Sequence, residues 1–168
     1  VAHTDYGFVH LMADKESGSV LQGVQEMQKE LQRLGDRDKR LVRVHGDDDP
    51  SFAGELSTWL RSQNIQQTDT GGHLPTKNSR TERRIRMVTE SFRASLLQAT
   101  GGIETYEALW GMGLRHACDS VNKSTWADGR CPMQALTGKQ HRCGRGDHIF
   151  GAHGTQHIPR EHRGSKFA

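Results

Sequence analysis

The sequence predicts an α/β fold in which a mixed sheet is flanked by helices. Three observations predict it. Apolar residues recur at helical spacing in four separate stretches. Short runs of β-branched and aromatic residues stand before and between those stretches. Gly or Pro punctuates most changes from one period to the other.

In chain order, residues 1–4 read as the end of a strand, Asp5-Tyr6-Gly7 as a turn, and residues 6–13 as the next strand. From about 19 to 34, Val20, Leu21, Val24, Met27, Leu31 and Leu34 form a helical stripe that stops at Gly35. The charged run Asp36-Arg37-Asp38-Lys39-Arg40 is a connector. Residues 41–45 form a short strand that ends in Gly46-Asp47-Asp48-Asp49-Pro50. A second helix, about 52 to 63, turns Leu56, Trp59 and Leu60 inward, and residues 65–70 are strand-like. The loop with Gly71, Gly72 and Pro75 leads into a long helix whose inward positions are Ile85, Val88, Phe92 and Leu96, with its stop at Gly101-Gly102. A further helix, about 104 to 122, places Tyr106, Leu109, Trp110, Leu114, Ala117 and Val121 on one face. Periodicity fades beyond Ser124. A domain of residues 1–138 and an extended Gly/His/Arg-rich tail of residues 139–168 are expected. Two hairpin strands followed by alternating helices and strands make the sheet mixed rather than purely parallel.

The bulk properties narrow the function. The 168 residues are 33 % hydrophobic and include 19 glycines, so the chain is polar and loop-rich. No apolar run is long enough to span a membrane. The first residues resemble neither a signal peptide nor a transit peptide, and Val in place of Met is expected to mark a start inside a longer polypeptide. Cys118, Cys131 and Cys143 are three and widely spaced, which argues against a disulfide framework. The Cys and His residues of the tail fit no paired zinc-ligand spacing. Cys118, Trp59 and Trp110 read as core residues, and Trp126 as exposed. A net charge of +3 is modest, but the basic residues cluster, and local clustering is what attracts a polyanion.

The cluster is Thr76-Lys77-Asn78-Ser79-Arg80-Thr81-Glu82-Arg83-Arg84-Ile85-Arg86. Glu82 sits in the first helical turn among four arginines. A first-turn acid favours the helix dipole without any further role. Asp47 follows the end of a strand, where ligands gather in α/β sheets, although an Asp triplet before Pro also makes an ordinary turn. Arg86, four residues after Glu82, shares its face. If the long helix packs beside the sheet, Asp47 and Glu82 converge across the 34 residues between them.

Several segments resemble, in order, the integrase catalytic cores of copia-type LTR retrotransposons. Val44-His45-Gly46-Asp47 followed by Phe52 resembles their SDNGGEF segment, and residues 75–84 resemble PQQNGVAER. Ser120-Val121-Asn122-Lys123-Ser124 is similar to LINRS, and residues 132–139 to PYEAWTGKK. Ile149-Phe150-Gly151, His157-Ile158-Pro159 and residues 163–167 resemble the segment beyond that core.

The resemblance implies an RNase H-like fold and an acidic site for two Mg²⁺ or Mn²⁺ ions, with Asp47 and Glu82 as its second and third acids. It implies trimming of DNA 3′ ends and their transfer to target DNA, in the nucleus. DNA is the implied partner, gripped by Lys77, Asn78, Arg80, Arg83 and Arg86. The interval between the two acids is one residue shorter than is usual in the family, and Ser79 replaces the family's Gly. Asp5 fits the turn between the second and third strands better than the first-acid position. The first strand, its acid and the amino-terminal zinc domain are therefore expected to be missing, and the fragment is expected to be weak or inactive as an enzyme. The alternative is a non-catalytic module that docks on protein partners through its basic helix and tail.

Overall fold

The computed structural model describes residues 4–35, 40–46, 49–69, 79–101, 109–126, 128–139 and 150–152. Its elements are α1 (Ser17–Leu34), β1 (Arg43–Gly46), α2 (Glu55–Ser62), β2 (Gln66–Asp69), α3 (Ser79–Thr100), α4 (Trp110–Lys123) and α5 (Pro132–Thr137). β1 and β2 pair in parallel with Arg43 opposite Gln66 and Gly46 opposite Asp69. Parallel neighbours need a crossover, and a 3-10 turn at Pro50–Phe52 followed by α2 supplies it.

Local chemistry explains the turn after β1. Asp49 Oδ1 accepts the Ser51 N–H at 2.8 Å, and Pro50 follows at the first position of the 3-10 turn. The Ser51 hydroxyl, with that N–H bond second, holds the Asp49 carboxyl below its usual range, so this member of the Asp triplet is a cap. The Phe52 ring then folds back over Gly46, where a Cβ would lie 2.9 Å from a ring carbon. Only glycine ends β1 without displacing that ring.

Three apolar clusters hold the layers together. Val24 of α1 meets Leu56 and Leu60 of α2 and Ile65 at the entrance to β2, with Val44, Phe52 and Trp59 around them. Val88 of α3 meets Ala117, Cys118 and Val121 of α4, with Val9 and Phe92 beside them. Tyr6, Leu31 and Leu136 make the third, with Phe8 and Met133. Tyr6 and Phe8 therefore face α1 and α5, while Val9 faces α3 and α4. Their period-2 alternation is used for packing between helical layers.

The described sheet is narrower than the sequence predicts. Residues 6–12 have no regular secondary structure and among the described residues join no ladder, and residues 1–3 lie outside the described set. Two expected core positions are also on the surface. Ile85 is 61 % exposed and Trp110 54 %. On α3 the buried line runs through Arg84 and Val88, one position back from Ile85. At the start of α4, Gly111 and Gly113 are the buried residues, pressed against Leu11 and Phe92, so Trp110 turns outward. Helix α5 falls where periodicity fades. Pro132 at its first turn and Gly138 at φ 69 just beyond its end bracket it. The Phe150 ring lies 5.5 Å from that of His116, so this part of the expected tail rests on α4. No described helix is long and apolar enough to cross a membrane.

Candidate nucleic-acid interface and acid site

The first two turns of α3 carry two different faces. Residues two apart on a helix point about 200° apart, and residues four apart point nearly the same way. Glu82, Arg83 and Arg86 are all exposed and form one solvent-facing set. Arg80 and Arg84 point the other way, toward the turn at residues 5–7.

That turn is tied down strongly. Asp5 adopts φ 53, a conformation that costs a non-glycine residue energy. Its carboxylate accepts Arg80 Nε at 2.6 Å and lies 3.6 Å from Arg130 Nη1, with only 12 % of the side chain exposed. The Arg80 hydrogen bond, aided by the charges of Arg130 and Arg84, holds the Asp5 carboxyl below its usual range against the opposing effect of burial. Asp5 is thus occupied as a structural ion-pair partner.

Next to it, Gly7 N–H donates to Asn122 Oδ1 and Asn122 Nδ2 donates to the Gly7 carbonyl, both at 2.8 Å. Arg84 Nη2 donates to the same Asn122 Oδ1. Asn122 is 2 % exposed, a buried polar hub joining the turn, α3 and α4. The Arg84 guanidinium also lies 5.6 Å from the centre of the Trp126 ring, and that of Arg130 lies 5.7 Å from it. Trp126, expected as a lone exposed ring, is half-buried between arginine partners.

Tyr6 sits in the same region, buried beside Leu31. Burial, reinforced by the negative charges of Glu30 and Asp119, pushes its phenol up to about 12. The folded state therefore favours the neutral phenol, while an unfolded tyrosine ionises near 10. Stability from this source is full below about pH 10 and is lost as pH rises from about 10 to about 12. Thermal midpoints measured across that window should fall more steeply for the unsubstituted protein than for Tyr6→Phe.

The sequence-predicted residues are thus divided. Glu82, Arg83 and Arg86 stand together on the surface. Arg80 is held by Asp5. Asp47, Lys77 and Asn78 lie outside the described residues, although β1 ends at Gly46, immediately before Asp47. Among the described residues no group of three or more Asp, Glu, His or Cys side chains is placed to hold a metal ion. Glu82 by itself does not make a divalent-metal site. The residues missed from sequence are Arg84, Asn122, Trp126 and Arg130. Arg84 had a signal: it lies four positions before Val88, on the buried line.

No protein-family model matches the sequence, and no curated protein matches it either. Among solved structures the chain is similar to the catalytic core domain of BIV integrase. The TM-score is 0.58 at 17 % identity, over 80 % of this chain and 79 % of that one. At that identity the likeness is one of fold alone, a mixed α/β fold with a small sheet flanked by helices.

Proposed function

We propose that the chain is an integrase-type core of the copia lineage that binds DNA through the exposed basic face of α3. The observation that carries this reading is the pairing of an integrase-core fold with Glu82, Arg83 and Arg86 together on the solvent face of its first α3 turns. Lys77, Asn78 and Arg80 extend the same basic stretch in sequence. In this reading Asp47 and Glu82 hold Mg²⁺ or Mn²⁺, and Arg83 and Arg86 meet DNA phosphates. Strand transfer by the chain alone is weak, because its own residues bring two acids and Asp5 is committed to Arg80 and Arg130. A third carboxylate, from sequence upstream of residue 1 or from another chain, would be needed for full activity.

The second reading, a non-catalytic interaction module, is favoured by the same fixing of Asp5. DNA binding separates the two. Duplex DNA should bind at low salt, with affinity falling steeply as salt rises. Arg83→Ala and Arg86→Ala should each weaken binding and each lower the slope of log K against log salt by about 1. DNA binding that is absent at low salt, or indifferent to both substitutions, contradicts the integrase reading and leaves the module.

A further inference from the structure

Arg84 is the one guanidinium of its cluster that has no carboxylate among the described residues. Arg80 is paired with Asp5 at 2.6 Å and Arg130 with Asp128 at 2.6 Å. Among the described residues Arg84 has the neutral amide of Asn122, and its buried Nε and Nη1 have no hydrogen-bond partner there. The indole Nε1 of Trp126, whose ring faces that guanidinium, is likewise buried and has no partner among the described residues. Donors left unpaired in the interior are costly, and a buried unpaired cation more so. Here the unsatisfied groups are all donors and sit around one uncompensated positive charge. The partner they lack is an oxyanion.

The side from which it would come follows from charge. Asn122 also lines a cavity of about 510 Å³ together with Glu26, Glu30 and Asp119, with Arg115 as the one arginine in its lining. That surface repels an anion. The Trp126 side, with Arg130 also over the ring, attracts one.

We propose that Arg84 and Trp126, with Arg130 at the rim, form a phosphate-binding site distinct from the exposed Glu82 face. Arg84 Nε and Nη1 and the indole N–H donate to the phosphate oxygens once the Trp126 ring turns aside. The phosphate belongs either to a nucleic-acid backbone or to a free phosphate, and the site does not depend on the DNA reading given above.

The test titrates the full chain with inorganic phosphate against chloride at matched ionic strength, following tryptophan emission and heat. Binding with a shift in emission is expected, and Arg84→Met should weaken it about 10-fold or more. Arg84→Met should also melt no lower than the unsubstituted protein in chloride, because it removes an unpaired buried charge. Trp126→Phe keeps an aromatic ring but removes the donor, so, read by heat, it should lower phosphate affinity several-fold while leaving the fold intact. Phosphate binding that survives both substitutions unchanged overturns the site, as does binding without any change in emission. A duplex DNA arm identifies the source. A salt slope reduced by about 1 in Arg84→Met assigns the site to a backbone phosphate. An unchanged slope, with phosphate binding still dependent on Arg84, assigns it to free phosphate.

Discussion

Asn122→Ala is expected to destabilise the fold by about 3 kcal/mol, among the largest effects of any single substitution in this chain. The side chain is buried and occupied on both ends. Its carbonyl accepts from Gly7 N–H and Arg84, and its amide donates to the Gly7 carbonyl. Alanine leaves two backbone groups and a guanidinium without partners, and each orphaned buried group costs roughly 1–3 kcal/mol, not additively. The turn at residues 5–7 is anchored there and by Asp5, whose own backbone is strained. Loss of the anchor should therefore loosen the packing of Tyr6, Phe8 and Val9 against both helical layers. For a chain of this size the melting midpoint should fall by roughly 6–12 °C. Asn122→Asp should fall less, because its carboxylate meets the unpaired charge of Arg84. A midpoint within 2 °C or so of the parent for Asn122→Ala would show that the hub is not holding the turn.

Much of this architecture is legible in the sequence because its signals are local. The stripe from Val20 to Leu34 gives α1, with Val24 and Leu31 buried as spaced. The β-branched run before Gly46 gives β1, and Leu56 and Leu60 give the buried face of α2. Gly101 ends α3 as read. The order of these pieces, with the motif around Glu82, points to the integrase-type fold that the structural comparison supports.

What the sequence hides is decided by neighbours distant along the chain. The stripe on α3 holds at Val88 and Phe92 but fails at Ile85, where Arg84 takes the inward position and bonds Asn122, 38 residues away. A charged residue on a buried line is invisible to a search for apolar periodicity. Trp110 looks like core until the glycines beside it are seen to let Leu11 and Phe92 approach α4. Helix α5 has six residues, too few to show a period, and only its Pro and Gly punctuation marks it. The segment at residues 6–12 reads as a strand because its side chains alternate, although the alternation serves two helical layers.

The second large effect concerns Glu82. It is exposed at the start of α3, and Asp47 follows the last residue of β1. Carboxylates are the ligands that Mg²⁺ and Mn²⁺ prefer. Two of them sharing one ion would bind it far better than either alone, and Glu82→Gln removes both a ligand and a charge. Divalent-ion affinity should then fall by about 10-fold or more, with any metal-dependent strand transfer lost. In the integrase reading proposed above, the end of β1 and the first turn of α3 form one acidic site. The most direct test is a Mn²⁺ titration of the full chain followed by amide NMR. The amide signals of Gly46 and Glu82 should broaden together at the same Mn²⁺ concentration, and Glu82→Gln should abolish both effects. Broadening at Glu82 without Gly46, or at Gly46 with no dependence on Glu82, would contradict that reading.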